Sequence, residues 1–358
     1  MKIIQWATGN PGSHAVRAIA NRPAYQLTGA FVYSKEKAGR DIGEVCGTRP
    51  LGVLATTDRS EIMAAEADCV LYMAFAERGF PEAAGDVCQL LESGKNVIAT
   101  STPFLHPKAM DEQLGAAIEG ACQAGGVTFH GLGIAPGYMS EMLPLSLSRL
   151  WGRVDKLVAR ETLMYNEYPS HEMMFDFLGF GYEPDDPTPL FTDLEVVGTA
   201  YKPSSVLLAD TLGLKDYELV HFRDIELAPE DFDVASGHIR KGTVAAMRFG
   251  TRVLHEGRAV IVQEHCTRMR EDLGSSWPRG DGWSIVVEGE PSMSVSVNIG
   301  IHGEDHTDQA CLATAMHAVH AIPQVVNAAP GIHTLVDLAP FYGGDAFTVA
   351  QPAAVDTK

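Results

Sequence analysis

The stretch MKIIQWATGNPGSHAVRAI, residues 1–19, carries the reading of the fold. Residues 2–7 form a short apolar-leaning run that predicts a strand. Residues 12–21 predict a helix, with Pro11 near its first turn, where a missing N–H costs nothing. Between them lies the turn Thr8, Gly9, Asn10, Pro11 and Gly12. Gly9 and Gly12 occupy the last two glycine positions of G-x-G-x-x-G, and Ala7 replaces the first. Glycines let the backbone approach a pyrophosphate, and the following helix N-terminus supplies N–H groups and a positive dipole end. A purely structural turn would use the same residues. The strand before and the helix after give the context that dinucleotide binding requires.

The end of the second strand, expected at residues 26–34, selects the cofactor. An Asp or Glu there would serve the ribose of NAD. This chain instead has Ser34, followed by Lys35, Lys37 and Arg40. A 2′-phosphate wants a hydroxyl and cations and would be repelled by a carboxylate. NADP (NADPH) is therefore the expected cofactor, although Glu36 and Asp41 temper the patch and solvated surface charges are the alternative reading. Ligands of open α/β sheets bind at the carboxyl ends of the strands. The loops at 73–76, 100–104 and 131–138 should supply further contacts, with Ala74, Thr100, Ser101 and Thr102 as candidates.

Strand and helix patterns alternate through the first 150 residues: strands at 67–75, 96–101 and 127–130, helices at 80–93 and 107–124. Strands apolar on both sides imply a parallel sheet covered by helices on both faces. After residue 149 the runs lengthen and alternate, at 154–164, 217–227, 243–250, 259–268, 284–287 and 292–300, as in a largely antiparallel sheet. Residues 182–190 and 274–282 read as loops, and 305–327 as a long helix. The fold class expected is α/β: an N-terminal Rossmann domain at 1–145, an α+β domain with a mostly antiparallel sheet at 146–304, and C-terminal helices at 305–358 returning to the first domain.

A chain of 358 residues exceeds one usual core. Its net charge of -19, with no basic block, argues against nucleic acid and anionic membrane surfaces. The six cysteines show neither C-x-x-C nor zinc spacing, which suits free thiols in a reducing cytoplasm. No apolar run approaches the roughly 20 residues that span a bilayer, and the chain opens directly on a strand, without a signal-peptide pattern. A cytoplasmic protein is expected.

Five stretches together carry a family resemblance: IIQWATGNPGSHAVRAI (3–19), KEKAGRDIGEVCG (35–47), HGLGIAPGYMSEMLPL (130–145), FDFLGFG (175–181) and ATAMHAVHAIPQVVNAAPGI (313–332). The chain resembles proteins with a dihydrodipicolinate-reductase-like N-terminal domain, most of all the 2,4-diaminopentanoate dehydrogenase and native amine dehydrogenase group. The resemblance spans nearly the whole chain. It implies a homodimer that uses NAD(P)H to interconvert a carbonyl plus ammonia with a primary amine, with the middle domain serving substrate and dimerisation. True dihydrodipicolinate reductases carry a His-His pair and a Lys in a motif absent here. The amine dehydrogenases also carry a Glu pair in the loop after the fifth strand, one member handling ammonia and the imine. Here that loop reads ATSTPFLHP, with Thr102 and Pro103 in the pair's place.

Reduction of C=O or C=N needs a proton donor near the reacting atom. His106, in the loop that lacks the Glu pair, is an acid/base or substrate candidate, or simply opens the next helix. Tyr138, at the passage between domains, is expected to line the pocket or donate a hydrogen bond, or else to pack as a hinge aromatic. Glu141, one turn later, matches an acidic position of the family, or serves as a helix cap. Phe104, Tyr165, Asn166, Tyr168 and His171 are the other substrate-pocket candidates, while Met173, Met174, Phe175 and Phe177 read as core. Lys202 reads as a surface lysine. His317 and His320 stand at i, i+3 without a third ligand, so no metal is expected. Three functions follow: an amine dehydrogenase-like NADP oxidoreductase, a carbonyl or imine reductase that uses no free ammonia, and a non-catalytic NADP(H) sensor.

Overall fold

The computed structural model describes residues 1–76 and 79–344. Strands β1 (Lys2–Trp6), β2 (Gln26–Phe31), β3 (Ala55–Thr56), β4 (Cys69–Tyr72), β5 (Asn96–Ala99) and β6 (Thr128–Gly131) form a parallel sheet in the order β6-β5-β4-β1-β2-β3. Helices α1 (Asn10–Ala20), α2 (Ile42–Val45), α3 (Arg59–Ala64), α4 (Phe80–Glu92), α5 (Pro107–Met110) and α6 (Glu112–Gly125) connect them. The strands are buried on both faces, as their largely apolar composition requires. Strand order reverses beside β1, whose neighbours are β2 and β4, so a crevice opens at their carboxyl ends. The single helix expected over 107–124 is broken at Asp111. That residue is extended (φ -155°), and its carboxylate accepts the Leu114 N–H at 2.8 Å as the N-cap of α6.

Helix α7 (Leu143–Leu147) spans the boundary expected at residue 145. Beyond it, β7 (Arg153–Met164), helix α8 (Leu194–Thr211), β8 (Tyr217–Leu227), β9 (Phe232–Val234), β10 (Gly237–Ile239), β11 (Val244–His255), β12 (Arg258–Arg268), β13 (Gly282–Glu290) and β14 (Met293–Val297) build the second part. Six of these strands form a mixed sheet, β14-β13-β7-β12-β11-β8, antiparallel except where β12 runs parallel to β7. β9 and β10 pair separately. Helix α8, which no sequence pattern announced, packs on β8 and β11. It contains Pro203, and Lys202 is half-buried with its amine donating to the Met110 carbonyl at 3.1 Å, so that lysine ties α8 to α5 rather than standing free.

Helix α9 (His306–Val326) returns to the first sheet and lies along α1. Ala15, Ala18 and Ile19 meet Ala315, Ala318, Val319 and Ile322 in one buried cluster. Each fully buried Val or Ile there contributes about 1.5–3 kcal/mol. The chain then adds a strand, β15 (Gly331–His333), parallel to β6, making the first sheet seven-stranded. Residues 345–358 of the expected C-terminal segment lie outside the described residues. Among the described residues no helix is long and apolar enough to cross a membrane, and all six cysteines are free.

Candidate functional site

The glycine turn is built tightly from beneath and left open above. A Cβ on Gly12 would stand 2.2 Å from the Ala7 carbonyl oxygen, so only glycine lets α1 approach β1 this closely. Gly9 has nothing within 4 Å of its absent Cβ, and Asn10 is exposed. Gly9 is the N-cap of α1, no side chain caps that end, and no acidic residue lies in the first turn. The first-turn N–H groups therefore offer an uncompensated positive end. Ala7 holds φ 69°, a conformation that glycine would adopt without strain. Its carbonyl accepts from the buried Gln5 amide at 2.9 Å.

Lys37 reaches this turn: its amine donates to the Thr8 carbonyl at 3.0 Å and to the Thr8 hydroxyl at 3.2 Å. Lys35 and Arg40 are exposed close by, and the Ser34 hydroxyl accepts from the Glu36 N–H at 3.2 Å. Two residues that sequence reasoning passed over border the same end of β2. Tyr33 accepts from the Trp6 indole at 3.2 Å, and the Arg59 guanidinium lies over the Phe31 ring. On the other side of β1, the Ser101 hydroxyl donates to the Ala74 carbonyl and accepts the Ala76 N–H, joining the loops after β4 and β5. Ser101 and Ala74 are thus buried supports of that rim, with Thr100 and Thr102 half-buried beside them.

The proposed proton donors and pocket residues separate. Phe104 is fully buried among Tyr72, Phe80 and Phe129. It is core beneath the sheet's rim, which corrects its assignment to a pocket. His106 lines a groove of about 680 Å³ with Asp210, His333 and Asp337. Burial lowers its pKa, and its Nδ1 has no partner among the described residues. Tyr138 is half in solvent and meets His317 edge-on at 5.5 Å. Glu141 is fully buried in a π-helical turn (Tyr138–Met142), where it accepts from the Gly137 N–H and the Ser204 hydroxyl. Burial raises its pKa well above the ordinary carboxylate value. It is sealed from the crevice and locks the turn between the two sheets.

Asn166 and His171 meet the segment around Ala235 and Ser236. The Asn166 carbonyl accepts from Ala235 at 2.9 Å, and His171 stacks on Phe175 and bonds the Ser236 carbonyl. Tyr165 and Tyr168 turn the other way, toward the mixed sheet's inner face, where Tyr165 stacks on His265 at 5.8 Å. Sequence reading missed this inner face. Glu161 of β7 pairs in register with His265 of β12 and Trp283 of β13, and Phe249 of β11 continues the row. The Glu161 carboxylate accepts from His265 Nδ1 at 2.8 Å. Glu161, Tyr201 and Trp283 share a small cavity with Pro136, Met139 and Ser140 of the turn after β6. Phe75 of the loop after β4 meets Phe177 at 5.6 Å, joining the two parts across the crevice. Another groove, about 550 Å³, lies at the amino end of β1 beside Lys2 and Asp68, on the side away from the glycine turn. Among the described residues no three His, Cys, Asp or Glu side chains gather as a metal site.

The comparisons agree with this architecture. Residues 143–343 match the family described as 2,4-diaminopentanoate dehydrogenase C-terminal domain, and residues 3–120 match dihydrodipicolinate reductase, N-terminus. An amine dehydrogenase of Streptomyces virginiae is 30% identical over 94% of this chain and 95% of its own length. The 2,4-diaminopentanoate dehydrogenase of Acetoanaerobium sticklandii is 23% identical over 70% of this chain and 68% of its own. The solved structure of an amine dehydrogenase from Mycobacterium smegmatis shares the fold, with a TM-score of 0.76 at 19% identity, covering 96% of this chain and 97% of that one.

Proposed function

The chain belongs to the 2,4-diaminopentanoate dehydrogenase family, and from that membership we propose that it is an NADP-dependent oxidoreductase that converts a small ketone or aldehyde plus ammonia to a primary amine through an imine. The observation that supports cofactor binding most directly is the uncapped N-terminus of α1 over an open glycine turn, with the Lys37 amine lying against it. Residues Thr8 to Gly12 would hold the diphosphate, and Ser34, Lys35, Lys37 and Arg40 the 2′-phosphate. When bound, a reduced nicotinamide supplies hydride to the carbon of C=O or C=N. The protein's part is to orient the substrate, exclude water and handle protons. The joined rim at Ser101 and Ala74, the Phe75–Phe177 contact and the inner face of the mixed sheet enclose the space where this would occur.

One residue pair favours a second reading. Thr102 and Pro103 stand in the loop after β5 where the resemblance calls for two glutamates. A reductase of carbonyls or preformed imines, with no use of free ammonia, fits that loop. The deciding assay is NADPH oxidation with cyclohexanone and small aldehydes at high pH, with and without ammonium. Turnover that requires ammonium supports amine formation, and equal turnover without it supports the reductase. Silence across the panel, with NADPH still bound, would support a sensor. The homodimer implied by the family resemblance belongs to the proposal and is read by light scattering of the full chain.

A further inference from the structure

The inner face of the mixed sheet is mainly apolar, with the buried polar residues Thr251, Gln263 and Thr267 in the same rows. Along β7 the residues on this face are Leu157, Ala159, Glu161 and Leu163, and neighbouring strands add Ile261, Val253 and Ile285. Glu161 and His265 interrupt that pattern side by side. A carboxylate on such a face is costly unless it is partnered. His265 Nδ1 supplies one hydrogen bond, and the His265 side chain is itself only 7% exposed. Its Nε2 has no partner among the described residues, nor has the indole N–H of Trp283, which is 3% exposed. Trp283 and Glu161 border the same narrow pocket, whose free volume of about 10 Å³ takes the centre of one water-sized molecule. The neighbouring carboxylate, Glu264, lies on the opposite face in register with Arg160 and is paired with Arg160 and Arg248. Among the described residues Glu161 meets no arginine or lysine, and its ionisable partner is His265.

We propose that this cavity is the ammonia subsite, with Glu161 as the catalytic carboxylate that replaces the missing Glu pair and His265 as its positioning residue. The proposal rests on the amine-forming reading given above. It moves the carboxylate from a Rossmann loop to a strand of the other sheet. Ammonium gives one proton to Glu161, and the freed lone pair bonds to the carbonyl carbon as the C=O π bond breaks. The nitrogen passes a proton to the resulting alkoxide. Glu161 returns its own proton to that hydroxyl, which leaves as water, and a protonated imine (C=NH2+) is ready for the hydride. His265 keeps the carboxylate aimed.

The test compares the full-length chain with Glu161→Gln and His265→Asn. NADPH affinity by fluorescence should stay within twofold of wild type in both, which separates a lost subsite from a lost fold. If Glu161→Gln melts below the assay temperature, Glu161→Asp takes its place. With cyclohexanone and NADPH, kcat/KM for ammonium should fall at least 100-fold in Glu161→Gln and about 10-fold in His265→Asn. KM for the ketone should stay within twofold. A second readout needs no turnover: the His265 imidazole resonance, in 13C-histidine-labelled protein, should shift when ammonium chloride replaces sodium chloride, and should not in Glu161→Gln. Retention of ammonium kcat/KM within threefold in Glu161→Gln, or a His265 resonance indifferent to ammonium, overturns the proposal. If wild-type turnover ignores ammonium, the amine-forming reading fails by itself, and the resonance still decides whether ammonium binds at Glu161.

Discussion

Gly12 and Lys37 set the two limits of the cofactor cradle, one by what it lacks and one by what it carries. A methyl on Gly12 would collide with backbone, the Ala7 carbonyl oxygen at 2.2 Å, and would also press on the Gln5 side-chain amide at 2.9 Å, so moving a side chain alone cannot relieve it. Either α1 moves off β1 or the turn deforms, and overpacking of this kind typically costs about 1–3 kcal/mol. Gly12→Ala should therefore weaken NADPH and NADH alike, each by at least tenfold, and lower the melting temperature by several degrees. Unchanged titrations would remove the turn from the site. Lys37→Ala makes a different prediction, because its amine reaches Thr8 from the end of β2. NADPH affinity should fall about tenfold and NADH affinity less than threefold, as measured by cofactor fluorescence. Equal losses would place the amine on the diphosphate common to both cofactors and undo the argument for NADP.

Elements that obey one strong period were legible from sequence, and those held by polar contacts were not. Parallel strands β1, β2, β4, β5 and β6 are largely apolar runs, each expected within a few residues of its place, whereas the short β3 and β15 carry no such run and were not expected. Helix α8 carries Gly198, Pro203, Ser204 and Ser205 in its interior, which blunts any helical pattern. Its reason for being there is tertiary: Ser204 donates to Glu141, and Ser205 donates to the Gln263 side chain at 2.7 Å. The Glu161–His265 pair was hidden for a related reason, since its partners are 104 residues apart and meet only through strand register. Glu141 shows how much such a link carries. It joins the turn before α7 to α8, and Gln263 of β12 reaches the same network through Ser204. Glu141→Ala leaves the Gly137 N–H and Ser204 buried without their acceptor, at about 1–3 kcal/mol for each group. Chemical denaturation should show a loss of about 3 kcal/mol, and a loss below 1 kcal/mol would mean that the turn is held by packing alone.

At the scale of the whole molecule, the C-terminal segment closes the first sheet through buried histidines. His130 of β6 donates from Nδ1 to the His333 carbonyl of β15 at 2.7 Å, and His317 of α9 bonds the Gly133 carbonyl at 3.0 Å. His14 of α1 meets Asp308 at the start of α9. Burial drives the pKa of His130 down to about 4 and lowers that of His317. In the unfolded chain both titrate near the ordinary histidine value of about 6.5. Between these limits the unfolded state binds protons that the native state refuses, so stability must fall as pH drops from about 6.5 toward about 4. Above that window neither state is protonated and the contribution is flat. For His130 alone the loss is on the order of 3 kcal/mol across the window, at about 1.4 kcal/mol per pH unit. Urea midpoints measured from pH 7.5 to 4.5 should decline more steeply for the wild type than for His130→Gln, whose side chain can still donate to His333 but cannot take up a proton. Parallel curves for the two proteins would show that acid opens the molecule elsewhere, and that the seam between β6 and β15 is not where it first gives way.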